Sequence, residues 1–185
     1  MELNAHAKLG GLARRLVDAE LLTPDKAQET QENASKHNRS FIDEASSLDG
    51  IDSRRVAELA AEEFGMPVLD PSGLDLENLP IQEVPEKLIR KHRALPLHRR
   101  GRHLYIGLSS PTNLQALDEI KFNSGLMTEG VIVPADKLEE AIDKALEQAE
   151  TANLSEDLDE DFENLEIETG EEEETSTAQP DTDDA

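Results

Sequence analysis

Two short apolar runs joined by a basic turn constrain the fold of this chain more than any other feature. The runs cover residues 94–98 and 103–108, each about as long as a β-strand, and Arg99 to Arg102 connect them. Gly101 stands in this connection, where a tight hairpin turn requires a positive φ angle. The segment therefore predicts a β-hairpin.

Helical patterns lie on the N-terminal side of this hairpin. Between Leu9 and about Glu63 the apolar residues recur at three- and four-residue spacing, which predicts four helices. Thr23 followed by Pro24 is typical of a helix start, and so is Asp52, about 29 residues later. We therefore expect two helix-turn-helix units that form a weak internal repeat.

Further elements follow the hairpin: a helix over residues 114–121, a strand over 127–133 and a last helix from Pro134. The whole pattern predicts an α+β fold, in which an N-terminal helical subdomain precedes a small α/β subdomain of β-hairpin, helix, strand and helix. We place the helical subdomain at residues 1–66, a wrapped, proline-rich linker at 67–84 and the α/β subdomain at 85–149.

An acidic segment, which we expect to be disordered, occupies residues 150–185. It holds 16 acidic residues and no Lys or Arg, a composition that cannot bury a core. Most of the formal charge of −24 belongs to this segment, because the remainder has 26 acidic residues against 18 basic ones.

Composition also excludes several kinds of site. The absence of Cys rules out disulfides and thiolate metal ligands. The N-terminus has no signal-peptide pattern, and no apolar run reaches 18 residues. We therefore expect a soluble cytoplasmic protein without a metal site.

A basic segment runs from Lys87 to His103, with seven Lys or Arg residues, three His residues and no acidic residue. It is suited to phosphate or to an acidic protein surface. It is equally suited to be a solvated face that docks on the acidic remainder of the chain. We do not expect nucleic-acid binding, because the remainder is acidic and Tyr105 is the one aromatic residue of the region.

No catalytic pattern is present in the sequence, so we expect no enzymatic residue. Gly125 and Gly130 have the glycine spacing of a phosphate-binding loop, but Val131 follows where that loop needs Lys.

Several motifs in order nevertheless resemble a known family. The runs His92 to Gly101, Leu104 to Asn113 and Ala116 to Phe122, preceded by Ala57 to Pro67, are similar to the MshEN-like N-terminal domain of type IV pilus assembly and type II secretion ATPases. The resemblance covers about residues 9–149. It implies a hexameric ATPase whose catalytic part, with ATP and Mg²⁺, would follow residue 185, and a place at the inner-membrane pilus machinery.

Relatives in this family bind cyclic di-GMP through a repeated motif of the form Arg-Leu-Gly followed by Gly-Leu-Ile-Thr. The first copy aligns here with 11–13 and 20–23, so that Gly11 replaces the Arg, and Ala13 and Glu20 replace the glycines. The second copy, near 39–41 and 49–51, is equally altered. The resemblance therefore leaves cyclic di-GMP as an alternative ligand, with three candidate contacts: Arg14, Arg15 and Arg39.

The resemblance favours a protein-docking role. We expect a thin, partly exposed apolar stripe on the first helices to bind a PilZ-type adaptor or an inner-membrane platform protein, so that a membrane is reached only through such partners. The hairpin arginines would contact an acidic partner or the ATPase body. We expect Leu16→Glu to abolish adaptor binding without unfolding the domain. The candidate partner-binding residues are Leu12, Leu16, Leu21, Leu22, Arg99, Arg100 and Arg102.

Overall fold

The structure is a computed structural model that describes residues 9–152. Its first compact unit extends to Leu146, and residues 147–152, which belong to a second unit, are helical. The expected disordered segment therefore begins with three helical residues, 150–152, and the rest of it lies outside the described residues.

Helices dominate the first half of the described chain and a small sheet lies in the second. The helices are α1 (Gly11–Asp18), α2 (Pro24–His37), α3 (Phe41–Ser46), α4 (Ser53–Phe64), α5 (Glu86–His92), α6 (Leu114–Ser124) and α7, which begins at residue 135. The strands are β1 (Leu95–Arg100), β2 (His103–Leu108) and β3 (Met127–Ile132). The predicted α+β class is confirmed.

Side-chain caps explain where the N-terminal helices begin. Thr23 Oγ1 accepts the backbone N–H of Lys26 at 3.3 Å, and Asp52 Oδ1 accepts that of Arg54 at 3.0 Å. Each cap satisfies a backbone donor that has no partner within the first helical turn. The two predicted restarts, at Thr23 and Asp52, are therefore confirmed.

The core of the helical half contradicts part of the expected docking stripe. Leu16 is fully buried and Leu22 is 6% exposed, and both pack with Ile42 and Val56. The expectation that Leu16 and Leu22 lie on the surface is wrong, because four short helices with few aromatic residues need these leucines to fill their shared core. Leu16→Glu would place a charge in that core and unfold it.

The sheet has the order β1-β2-β3. β1 and β2 are antiparallel, and Arg100 lies opposite His103, so the predicted hairpin turn consists of Gly101 and Arg102. Gly101 has φ +60°, the conformation for which glycine is suited. β2 and β3 are parallel, and α6 forms the crossover between them.

The linker contributes to the edge of this sheet. Val68 forms a parallel bridge with Ile132, whose N–H donates to Pro67 O at 2.8 Å. The linker then makes three short 3₁₀ turns. They cover Pro71–Gly73, Leu76–Asn78 and Ile81–Glu83.

Polar and apolar contacts join the helical half to the sheet. Ser109 Oγ, just after β2, donates to Asp43 Oδ1 of α3 at 2.6 Å. Ser53 at the start of α4 donates to Asp136 of α7. Ala57 and Ala61 of α4 are in one buried cluster with Ile132 of β3. The start of α3 is therefore held beside the end of β2.

We predict that Leu16→Ala lowers the free energy of unfolding by about 2 to 5 kcal/mol, because it leaves a cavity in the helical core. Leu12→Ala, on the same helix but half-buried, should cost less than about 1.5 kcal/mol. Urea unfolding of both variants measures the difference. Equal losses would contradict the assignment of Leu16 to the core.

Candidate functional site

An apolar cleft of about 280 Å³ opens where the helical half meets the loop after β2. We call it the α1 cleft. Its lining residues come from five separate segments: Gly10, Gly11, Leu12, Ala13, Gln31, Phe41, Ile42, Phe64, Ser110 and Thr112.

Two phenylalanines supply the aromatic part of the α1 cleft. Phe64 is the last residue of α4 and is 47% exposed. Gly65, with φ +65°, caps the C-terminus of this helix. Phe41 opens α3 and is half-buried. Helical spacing from Val56 and Ala60 would place Phe64 on the inward face of α4, yet its side chain is half exposed. A half-exposed Phe at the rim of an apolar cleft is typical of a surface that a partner covers.

The polar groups around the α1 cleft have partners within the fold. Ser110 Oγ and Thr112 Oγ1 share a hydrogen bond of 2.9 Å. Gln31 Oε1 accepts the backbone N–H of Gly10 at 3.4 Å. The surface that the α1 cleft presents to solvent is mainly apolar, and this favours an apolar occupant over a charged one.

The structure separates the four leucines that the sequence groups as one stripe. Leu12 lines the α1 cleft, whereas Leu21 is half-buried against the helical core that contains Leu16 and Leu22. Sequence reasoning missed Phe41 and Phe64 as cleft residues. No local signal reveals them, because the cleft forms between segments that are far apart in the chain.

The arginines considered for cyclic di-GMP are engaged elsewhere. Arg15 lies 3.2 Å from Glu62 and 3.5 Å from Glu63, measured between nitrogen and carboxylate oxygen. Arg39 is 3.6 Å from the nearly buried Glu44. Arg14 is exposed on α1. A phosphate would have to compete with these carboxylates for Arg15 and Arg39.

Glu20, which replaces a motif glycine in the resemblance described above, has a backbone conformation that is typical of glycine. Glu20 has φ +58°, in the left-handed region that costs a residue with a Cβ roughly 1 to 2 kcal/mol. Its N–H donates to Val17 O at 2.9 Å, and that of Leu21 donates to Leu16 O at 2.9 Å. The turn that ends α1 is thus of the kind that glycine favours, although the side chain is acidic.

The basic segment is largely neutralised by acidic residues from other elements. Arg93 lies 2.7 Å from Glu139 and Arg90 lies 3.6 Å from Asp143, both on α7. Arg99 pairs with Glu83 of the linker. The interpretation as a face that docks on the acidic remainder therefore accounts for most of this segment.

Two arginines at the hairpin end of the basic segment differ from the others in their ion pairs. Arg100 and Arg102 are exposed, and neither forms an ion pair with any residue in the described range 9–152. Of the three predicted hairpin contacts, Arg100 and Arg102 are the two with a guanidinium available to a partner.

Glu119 of α6 binds the basic end of α5. Its carboxylate lies 2.8 Å from His92 Nε2 and 2.8 Å from Lys91 Nζ, and it accepts from Gln115 at 2.9 Å. These hydrogen bonds, first that of His92, then those of Lys91 and Gln115, lower the pKa of Glu119 to about 2. The cluster is a structural clamp between α5 and α6.

Within 9–152, no three His, Cys, Asp or Glu side chains are grouped closely enough to hold a metal ion. No helix in this range has the length and hydropathy needed to cross a membrane.

Comparison with known proteins identifies similar sequences. The MshEN domain matches residues 64–152. The type IV pilus assembly ATPase PilB of Pseudomonas aeruginosa is 38% identical over 183 residues, which are 99% of this chain and 32% of that protein. PilB of Acinetobacter baylyi is 36% identical over 157 residues, 84% of this chain and 27% of that protein. The chain thus spans about a third of the length of these relatives.

Solved structures have the same fold. MshE, solved with cdg, superposes with a TM-score of 0.56 at 24% identity, over 74% of this chain and 99% of that one. The N-terminal domain of XpsE gives a TM-score of 0.58 at 17% identity, over 75% of this chain and 94% of that one.

We predict a loss of stability in acid that depends on Glu119. Because its pKa is about 2 in the folded protein and near 4.5 in the unfolded chain, its contribution is complete above pH 4.5 and is lost as the pH falls through 2. Urea unfolding from pH 7 to pH 2 measures it. Glu119→Gln should flatten the profile in this range, while substitution of an exposed glutamate, Glu147→Gln, should not. Identical profiles for wild type and Glu119→Gln would contradict the clamp.

Proposed function

We propose that this chain, which carries an MshEN domain and matches the N-terminal region of the PilB ATPases, is a non-catalytic docking and regulatory domain of a type IV pilus extension ATPase. The α1 cleft, with its half-exposed Phe64, is the observation that carries the proposal. The relatives are about three times as long, so the ATP- and Mg²⁺-binding part would follow residue 185 and assemble the hexamer.

The occupant of the α1 cleft is a protein partner. Covering Phe64, Leu12 and Phe41 removes apolar surface from water, which stabilises a complex by about 25 cal/mol for each Å² buried. The partner is a PilZ-type adaptor or an inner-membrane platform protein, and the domain works in the cytoplasm at the pilus machinery. A role as adaptor site agrees with a cleft that presents few polar groups.

The hairpin arginines provide a second contact. Arg100 and Arg102 are exposed, and a guanidinium forms paired hydrogen bonds with carboxylates. Their partner is an acidic surface of the ATPase body or of the platform protein. This contact sets the orientation of the domain, while the α1 cleft supplies the affinity.

We predict that Phe64→Ser weakens binding of a PilZ-type adaptor by about tenfold to a hundredfold, as removal of an aromatic anchor does in other interfaces. Calorimetry with the purified adaptor measures the affinity. Phe122→Ser is the matched control, because Phe122 is 89% exposed and does not line the cleft. Unchanged binding by Phe64→Ser, or no binding by the wild-type chain, would contradict the proposal.

Cyclic di-GMP regulation is the second candidate, favoured by the shared fold with MshE, the neighbour solved with cdg. The carboxylates beside Arg15 and Arg39 disfavour it, because a dianionic ligand would be repelled by them. Calorimetry of the chain with cyclic di-GMP should detect no binding at micromolar concentrations. Micromolar binding that is lost in Arg14→Ala or Arg15→Ala would establish this candidate instead.

A further inference from the structure

The turn of the β-hairpin, at Gly101 and Arg102, lies beside the start of β3 and the end of α6. Met127 N–H donates to Arg102 O at 2.8 Å, and His103 is the register partner of Met127 in the parallel pair. α6 ends at Ser124, so only two residues separate it from β3. We call this end of the sheet the hairpin tip. Its side chains are Arg100, Arg102, Lys121, Phe122 and Met127.

The cations of the hairpin tip are in excess over the carboxylates around them. The two arginines and the lysine are exposed, and none of them forms an ion pair with a residue of the described range. Glu129 of β3 is held by His103 Nδ1 at 2.7 Å. One further carboxylate, that of Asp118, lies a helical turn before Lys121 on α6. The fold therefore leaves positive charge at the tip that it neutralises elsewhere in the basic segment.

Two exposed apolar side chains accompany these cations. Phe122 is 89% exposed, more than any other large apolar side chain in the described part of the chain, and Met127 is 51% exposed. Apolar side chains that are grouped on a surface and surrounded by polar ones mark interaction sites. Arg, Met and aromatic residues are also the types that are enriched in protein interfaces. The hairpin tip thus has the composition of a surface that binds a polypeptide.

We propose that the hairpin tip binds the acidic segment 156–167 of a second copy of this chain. The inference rests on the proposed function, in which copies assemble into a hexamer, and it names the acidic partner of the hairpin arginines. Carboxylates of the segment pair with Arg100 and Arg102, while its apolar side chains pack against Phe122 and Met127.

The composition of the segment complements the tip. Residues 156–167, which lie outside the described range, contain seven acidic residues and no Lys or Arg. Four apolar residues are interspersed among them: Leu158, Phe162, Leu165 and Ile167.

The charge of the rest of the domain favours a short acidic segment over a membrane. Residues 1–149 contain 26 acidic residues against 18 basic ones, so an extended anionic surface would repel most of the domain. A segment of about ten residues contacts the tip alone. Because the tip and the segment are different surfaces, the contact between copies is heterologous, and contacts of this kind close into rings.

Sedimentation velocity of the full chain over a range of concentrations tests the proposal. We expect the wild type to self-associate, and Arg102→Glu to weaken association by about tenfold because it opposes two like charges. Phe122→Ser and Phe162→Ser should each weaken it by about tenfold through loss of an aromatic contact. An equimolar mixture of Arg102→Glu and Phe162→Ser should regain association, since one copy has an intact segment and the other an intact tip.

Lys36→Glu is the matched control for Arg102→Glu. Lys36 is exposed on α2 and forms no ion pair within the described residues, so its substitution changes the net charge by the same amount away from the tip. It should associate as the wild type does.

The outcomes separate this inference from the docking proposal. A wild type that stays monomeric, or that associates equally well with Arg102→Glu in place, overturns the inference. Co-sedimentation with phosphatidylglycerol vesicles that Phe122→Ser abolishes also overturns it, because the tip would then be a membrane contact. Adaptor binding depends on Phe64 and not on the tip. If the adaptor binds a chain that does not associate, the docking function stands alone, and if the chain associates but binds no adaptor, only the docking function fails.

Discussion

The carboxylate of Asp43 holds the two halves of this protein in the arrangement on which its surface depends. One oxygen accepts from Ser109 Oγ at 2.6 Å and the other from Ser40 Oγ at 2.8 Å. Asp43 thereby ties the first turn of α3 to the end of β2 and also supports the cap of its own helix. Because these groups are partly buried, loss of one partner would leave a polar group without compensation. Phe41, two residues before Asp43, and Thr112, three residues after Ser109, both line the α1 cleft.

In the described part of the chain, ion pairs neutralise much of the charge of the basic segment. The basic segment stands out in the sequence, yet the fold pairs Lys91 with Glu119 and Arg93 with Glu139. Such exposed pairs add little stability individually. Their main consequence is that the segment presents far less charge than its composition indicates. What remains available is the hairpin turn, with Arg100 and Arg102.

The chain shares its fold with MshE and is similar in sequence to the PilB ATPases. Glu20 adopts the left-handed conformation that suits glycine, although its side chain is acidic. Arg15 is held by two glutamates of α4. A fold shared with a protein solved with cdg therefore does not by itself make cyclic di-GMP a ligand of this chain.

Local patterns in the sequence determined the elements of this protein. The caps at Thr23 and Asp52, the glycine of the hairpin and the apolar periodicities each depend on residues a few positions apart, so they could be predicted, and with them the α+β class. The tertiary structure alone decided which leucines are buried and where the cleft lies. Leu12 and Leu16 are equivalent in the periodic pattern, and packing against α2, α3 and α4 separates them. Phe64 meets Gly11 and Thr112 only through contacts between residues about 50 positions apart in the chain, which no local pattern encodes.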